Sequence, residues 1–163
     1  MSTRAAIAVR EARLPEDRAV LEAFVLGLSR FENAFAPDRR TDEAVGGDYL
    51  AVLVKRAQEH EGRMFVAEIE GRPVGWLVSI VDEQMVFIRE EDRRIGYVAE
   101  LYIEPDMRGA GIGRALIERA EADFRARGLR RIAITVLEKN VNAHAAYRAW
   151  GFAPAAIDLT KDL

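Results

Sequence analysis

The sequence predicts an α/β fold in which a mixed, mostly antiparallel central sheet carries helices on both faces. Three observations lead to this prediction. Short stretches rich in apolar and β-branched residues alternate with longer stretches whose apolar residues recur at helical spacing. Two of the strand-like stretches are joined by a short Gly-Arg-Pro turn, which indicates an antiparallel hairpin. A strand-helix-strand order in the second half adds a crossover that should be right-handed.

The first half of the chain begins with a strand and two helices. Residues 5–10 are mostly apolar, with β-branched residues two apart, and predict a strand. Pro15 and the acids after it are typical of a helix start, and apolar residues then recur at helical spacing through Leu28. Residues 31–42 predict an irregular loop, and residues 49–57 predict the second helix.

A hairpin follows. Residues 64–70 and 74–81 predict its two strands, with residues 71–73 as the turn. Residues 85–88 are expected to extend the second strand. The charged residues 89–94 indicate a solvated loop.

The second half alternates strands and helices. Strands are predicted over residues 97–103, 131–137 and 152–159. A helix follows the first of these strands through about Arg127, and Gly128 suits its C-terminal cap. Residues 142–150 predict the last helix, which Gly151 ends.

Composition limits the classes of function. A chain of 163 residues suits one domain, residues 1–163, with a sizeable core. The formal net charge of -3 is too mild to indicate a nucleic-acid partner. No apolar run approaches the ~20 residues that cross a bilayer, so no membrane partner is expected. The sequence contains no cysteine, which excludes disulfides and Cys-based zinc sites and is compatible with a cytoplasmic location. His60 and His144 lie far apart without a third ligand at a suitable spacing, so no metal is expected.

The most informative stretch is a glycine-rich turn over residues 105–114, between a strand and a helix. Glycines let a ligand approach the main chain, and free amides at a helix start bind anions, so a phosphate or pyrophosphate is the expected guest. The P-loop pattern is absent. The dinucleotide pattern lacks its third glycine because Arg114 stands there, although Glu138 ends the next strand where a ribose-binding acid would lie. A dinucleotide site therefore stays an alternative.

Two motifs resemble those of the GNAT superfamily of N-acetyltransferases. Residues 108–113, R-G-A-G-I-G, match R/Q-x-x-G-x-G/A, the family's coenzyme A pyrophosphate loop. Residues 140–152, N-V-N-A-H-A-A-Y-R-A-W-G-F, match N-x-x-A-x-x-x-Y-x-x-x-G-F. Residues 9–17, V-R-E-A-R-L-P-E-D, are similar to the family's usual opening. The resemblance runs from about Val9 to Phe152 and implies a GNAT-like acyl-CoA N-acyltransferase fold.

The resemblance implies that the protein binds acetyl-coenzyme A as its cosubstrate. The pyrophosphate would lie on the amides of the glycine turn, and the pantetheine arm would pair with the central strand as an added strand edge. A backbone amide near Ile103 would stabilise the charge that develops on the thioester oxygen. The implied cofactor-binding residues are Leu101, Tyr102, Ile103, Arg108, Gly109, Gly111, Ile112, Gly113, Arg114 and Asn140. Asn140 suits a helix cap nearly as well.

The same resemblance implies one catalytic residue through its motif, and the position of the central strand offers a candidate for a second. Tyr147 matches the family's general acid, and its phenol could protonate the departing thiolate; the alternative is a tyrosine that packs at a helix end. Glu100 lies beside the expected thioester position and could accept the proton of the amine, directly or through water. The alternative is an exposed strand carboxylate or an arginine partner.

The implied acceptor is a primary amine of a small molecule, peptide or protein. The loop over residues 31–42 would build its pocket, with Phe31, Glu32, Phe35 and Asp38 as lining candidates. Homodimers are common in the family, so a homodimer is an expectation. A non-catalytic coenzyme A sensor is the rival class, and the presence of Tyr147 argues against it.

Overall fold

The computed structural model describes residues 6–163. The strands are β1 (Ile7–Glu11), β2 (Arg63–Ile69), β3 (Arg72–Glu83), β4 (Arg94–Ile103) and β5 (Ile132–Ile134). The helices are α1 (Arg18–Glu32), α2 (Ala44–Glu59), α3 (Glu90–Arg93), α4 (Ile112–Ala126) and α5 (Val141–Ala149), with a 3₁₀ turn at Pro105–Met107.

The strands form one mixed sheet in the order β1-β2-β3-β4-β5. The first four strands pair antiparallel, and β5 pairs parallel to β4. Helix α4 connects these last two strands, as a parallel pair requires. The predicted fold class, including the mostly antiparallel sheet, is confirmed.

The two faces of the sheet carry separate apolar cores because side chains alternate along each strand. Phe65 and Leu77 face α4, whose buried stripe includes Leu116. Val66 and Trp76 face α1 and α2 on the opposite side. These side chains have 0% exposure, so each contributes about 1.5–3 kcal/mol of burial free energy. The helices therefore hold the sheet from both sides.

A bulge in β4 shapes the middle of the sheet. Glu100 pairs with Val78 and Val98 pairs with Ser79, which leaves Ala99 as an extra residue without a partner on β3. Pairing of β4 with β5 reaches only Val98. Beyond it, among the described residues, no strand pairs with the β5-facing edge of residues 99–103.

Several predicted elements differ from those observed. The first strand covers Ile7–Glu11, and Ala5, where we expected it to begin, lies outside the described residues. Helix α2 begins earlier than predicted, at Ala44. Residues 85–88 do not extend β3; they form an exposed turn. The charged residues 89–94, expected as a loop, contain the single-turn helix α3, which their acids favour at its N-terminus.

The strand predicted over residues 152–159 is absent from the described structure. Pro154 has no N–H to donate to a ladder, and the two alanines after it have low β propensity. Residues 153–163 are exposed, so no apolar contact compensates. The predicted strand over 131–137 is likewise reduced to the three residues of β5.

Candidate active site

The glycine turn ends β4 and starts α4. Gly109 and Gly111 have φ of 76° and 89°, in the left-handed region that glycine adopts without a Cβ clash. Gly111 is the N-cap of α4, and its carbonyl oxygen accepts from the amide of Ala115 at 3.1 Å. The amides of residues 112–114 precede that first bond, so they have no acceptor within the helix. With the helix dipole behind them, they form a site suited to a phosphate.

Gly113 belongs to the glycine motif and also has a packing role that the motif does not indicate. It is buried in the first turn of α4, where a Cβ would lie 2.8 Å from the Trp150 ring. The absence of a side chain therefore lets the end of α5 pack closely against the start of α4. This contact fixes the distance between the two motifs.

Arg108 is fastened beside the turn. Its Nε donates to the carbonyl oxygen of Ile103 at 3.2 Å, and its guanidinium lies 4.1 Å from the Phe31 ring centroid. Phe31 and Phe35 were predicted to line the acceptor pocket, but neither lines the cavity beside Glu100. Phe31 instead supports Arg108 from the end of α1, and the Phe35 ring packs edge-on against the Phe31 ring, with centroids 5.2 Å apart. Arg114 lies on the exposed side of α4, where it pairs with Glu118 at 2.7 Å.

The free edge of β4 leads directly to this turn. Residues 99–103 present main-chain groups on the side where β5 has diverged. The side chain of Tyr102 is buried against Phe24, so this residue offers a ligand only its main chain. An extended chain with amide groups can add to such an edge as a further strand.

A cavity of about 560 Å³ opens on the other side of the β4 bulge. Its walls come from α1, α2, β4, the segment after β5, and residues 33–43 between α1 and α2, which we call the rim loop. Two of the four predicted lining residues, Glu32 and Asp38, line it. Arg39 and Arg40 also line it, and each is already paired with two acids.

Glu100 projects from the bulge into this cavity. Its Oε1 accepts a hydrogen bond from the Tyr49 hydroxyl at 2.6 Å. Burial raises the pKa of Glu100 to about 7, an effect that the Tyr49 hydrogen bond opposes. A carboxyl that titrates near neutrality can both accept and release a proton at physiological pH.

Tyr147 and Asn140 occupy the two ends of α5. Asn140 is the N-cap of this helix, and its Oδ1 accepts from the Ala143 amide at 3.2 Å, so the helix-cap alternative describes its position. The Tyr147 ring packs 5.7 Å from Trp150 and 5.9 Å from Phe152. Burial raises the pKa of Tyr147 to about 12, so its phenol stays protonated across the neutral range.

The structure also shows what the sequence did not reveal. Nothing in the sequence marks Tyr49 as a partner of Glu100, since the two lie 51 positions apart. Tyr97 and Thr135, also in the cavity wall, share a hydrogen bond of 2.8 Å. His60, by contrast, ends α2 and does not line the cavity.

Residues 6–163 lack two further features of known functional classes. This part of the chain holds no group of three or more His, Asp or Glu side chains arranged for a metal ion. No helix within it has the length and apolar character needed to cross a membrane.

Comparison with known proteins identifies the family. Residues 28–152 match the sequence profile of the acetyltransferase (GNAT) family, which covers well over half of the chain. The chain therefore belongs to the GNAT family, whose members are acetyl-coenzyme A-dependent acyltransferases.

Individual relatives agree with this membership. An uncharacterized N-acetyltransferase of Methanocaldococcus jannaschii is 33% identical over 111 residues, which are 64% of this chain and 43% of that protein. An aminoglycoside N(6')-acetyltransferase of Stenotrophomonas maltophilia is 33% identical over 106 residues, 64% of this chain and 69% of that protein. The chain thus spans less than half of the first relative.

The fold has close neighbours among solved structures. A GCN5-related N-acetyltransferase from Ralstonia eutropha superposes with a TM-score of 0.74 at 22% identity, covering 97% of this chain and 99% of that one. At this identity the likeness concerns the fold.

Proposed function

We propose that the protein transfers an acetyl group from acetyl-coenzyme A to a primary amine of a small molecule or peptide. One observation carries the proposal: the free edge of β4, residues 99–103, joins the glycine turn at one end to the Glu100 cavity at the other. A donor along that edge and an acceptor in that cavity would meet at the bulge. Family membership supports the same reaction.

The donor side fits coenzyme A. The amides of residues 112–114 and the left-handed glycines before them suit a pyrophosphate. No atom lies within 4 Å of the position that a Cβ of Gly109 would occupy, so a ligand has room to approach there. Residues 101–103 would hold the pantetheine arm by main-chain hydrogen bonds, with an amide near Ile103 directed at the thioester oxygen. When bound, the thioester supplies the acyl carbon and a thiolate leaving group.

The acceptor side would handle the protons of the amine. A protonated amine cannot attack, and a lysine-like amine has a pKa of ~10.4. Glu100, ionised above pH 7, would take the first proton of the ammonium directly or through water and later release it to solvent. Tyr147 would hydrogen-bond or protonate the departing sulfur, and the second proton, which the nitrogen loses after attack, would restore the phenol. The ammonium and the thioester thus become amide, thiol and one free proton.

The charge of the cavity favours a cationic acceptor. Its wall carries more acids than bases: Glu32, Asp38, Asp48 and Glu100 stand against Arg39 and Arg40. The first three acids pair with these arginines, which leaves Glu100 as the acid without an arginine partner among the salt bridges of residues 6–163. The aminoglycoside specificity of the Stenotrophomonas relative is a small-molecule precedent. A cytoplasmic location remains a prediction from the sequence, and a homodimer remains an expectation from the family alone.

The test is a panel of primary amines with acetyl-coenzyme A, read by thiol release. The panel pairs cadaverine with lysine, which differ by one carboxylate, and includes an aminoglycoside and a peptide. We expect turnover with at least one cationic amine. Binding of acetyl-coenzyme A without turnover of any amine would favour the sensor class instead.

A thermal-shift series separates the dinucleotide alternative. Acetyl-coenzyme A should raise the melting temperature because it binds only the native state, while NAD and ATP should not. A shift with NAD and none with millimolar acetyl-coenzyme A would overturn the donor assignment.

A further inference from the structure

Helix α2 places a tyrosine against the carboxylate that the proposed function uses as a base. We propose that Tyr49 is a positioning residue for Glu100: its hydroxyl holds the carboxylate in one orientation and favours its ionised, proton-accepting form. This inference rests on the proposed function, in which Glu100 receives the amine proton. Neither the family match nor the relatives' names assign a role to Tyr49.

The hydrogen bond has the geometry of a charge-assisted one. The distance from Tyr49 Oη to Glu100 Oε1 is 2.6 Å, within the range typical of a hydroxyl that donates to a carboxylate. The bond occupies Oε1 and leaves Oε2 to take the proton of the acceptor. Because burial and the neighbouring Glu100 carboxylate raise the pKa of Tyr49 above its usual value, the phenol stays protonated and can donate to the ionised carboxylate.

The contact also joins a helix to the central sheet. Tyr49 comes from α2, and Glu100 follows the unpaired Ala99 in the β4 bulge. Bulges re-aim side chains, and a re-aimed side chain needs a partner to hold its new direction. Both residues line the same cavity, so Tyr49 acts where the acceptor would bind.

Other ionisable groups around Glu100 have mixed effects. The carboxylate of Glu32, from α1, raises the pKa of Glu100, while Arg56 from α2 and Arg39 from the rim loop lower it. Glu100 in turn raises the pKa of Tyr147 from α5. The remaining ionisable side chains of the cavity wall are Asp38, Arg40, Asp48 and Tyr97. Among all these groups, Tyr49 is the one hydrogen-bonded to Glu100 in residues 6–163.

The first experiment compares Tyr49→Phe with Tyr97→Phe. Tyr97 is a matched control because it lines the same cavity and its hydroxyl contacts Thr135 instead of Glu100. We expect the acid limb of kcat, near pH 7 in the wild type, to move up by about one pH unit in Tyr49→Phe, since a hydrogen bond to the ionised carboxylate is lost. At pH 6 turnover should fall about tenfold, and at pH 9 it should approach the wild-type value. In Tyr97→Phe the limb should stay in place, whatever happens to KM.

The second experiment needs no turnover. Carbon-13 NMR follows the Glu100 carboxyl, assigned by its absence in Glu100→Gln, through a pH titration of the substrate-free protein. We expect a higher pKa in Tyr49→Phe and no change in Tyr97→Phe.

The two experiments separate the possible failures. Equal Glu100 titrations in the wild type and Tyr49→Phe would overturn the role of Tyr49 and leave the proposed function standing. A shifted titration with an unmoved kcat profile would overturn Glu100 as the base of the proposed function, and with it any catalytic role of Tyr49. A wild type that acetylates no amine would overturn the proposed function itself, and is recognised without any variant.

Discussion

The two sides of the proposed active site are built from different parts of the chain. The donor side occupies one continuous stretch, from the free edge of β4 to the start of α4, and presents mainly backbone amides and glycines. The acceptor side collects side chains from α1, the rim loop, α2, β4 and the segment after β5. The donor side should therefore respond to changes of backbone conformation, and the acceptor side to changes of side-chain chemistry.

Tyr147 is the main exception to this contrast, because its side chain would act on the sulfur of the acetyl donor. Tyr147→Phe keeps the ring that packs on Trp150 and Phe152 and removes the hydroxyl. General acid catalysis is worth ~10²–10⁴-fold, so we expect kcat to fall by about a hundredfold while acetyl-coenzyme A affinity stays unchanged. Steady-state kinetics and calorimetric titration measure the two quantities. Wild-type turnover, with chemistry rate-limiting, would make Tyr147 a packing residue.

Gly113 refines the division, because it belongs to the donor motif but contacts a tryptophan. Alanine is favoured over glycine within a helix by about 1 kcal/mol. Here, however, its Cβ would lie 2.8 Å from the Trp150 ring, so we expect Gly113→Ala to lower the free energy of unfolding by about 1–3 kcal/mol. Urea unfolding of Gly113→Ala in the wild-type and Trp150→Leu backgrounds forms a double-mutant cycle. Equal costs in both backgrounds would exclude the ring as the cause.

Gly109 and Gly128 provide a matched pair for the donor side. Their φ values are 76° and 77°, and neither has an atom within 4 Å of a built Cβ. Either change to alanine should cost about 1–2 kcal/mol of stability, because an L-residue resists the left-handed region. Only Gly109→Ala should also weaken acetyl-coenzyme A, by about tenfold, since only Gly109 lies in the proposed pyrophosphate turn. Equal affinities in the two variants would show that the anion binds elsewhere.

On the acceptor side, Glu100→Gln should change stability in a pH-dependent way. The folded-state pKa of about 7 lies above the ordinary value of 4.5, so the wild type loses stability as pH rises between these values. We expect Glu100→Gln to melt a few degrees above the wild type at pH 8 and within about one degree of it at pH 5. Glu118→Gln, on the exposed surface of α4, is the control and should show no such gain. A pH-independent difference for Glu100→Gln would refute the burial of an ionisable carboxyl.

The donor side was also the more predictable from sequence. Left-handed φ values strongly favour glycine, so the turn at Gly109 and Gly111 can be predicted from the spacing of glycines in the sequence. The contacts of Tyr49 with Glu100 and of Trp150 with Gly113 bring together distant residues whose types are common anywhere. Only tertiary packing decides such contacts.

The predicted secondary structure failed for a related reason. A strand was predicted over residues 152–159 after the last helix, but a strand needs a neighbouring strand to pair with, and none pairs with these residues in the described structure. The helices with strong apolar stripes, α1 and α4, were predicted at the right places because each stripe specifies its own buried face. The predicted end of α1 was wrong: the helix includes Phe31 and Glu32, which were predicted to lie in the loop over residues 31–42.

The rim loop is held by an aromatic contact at its start, where Phe35 packs on Phe31, and by ion pairs around Arg39 and Arg40. Arg39 pairs with Glu32 and Asp38, and Arg40 pairs with Asp42 and Asp48. Exposed ion pairs are individually weak, and salt screens them over a Debye length of about 8 Å at physiological ionic strength. Raising the salt concentration should therefore release this loop while the cores stay folded. Trypsin cleaves after arginine, so the bond between Arg39 and Arg40 becomes a built-in reporter: protected in dilute buffer, and cut progressively faster as salt is added.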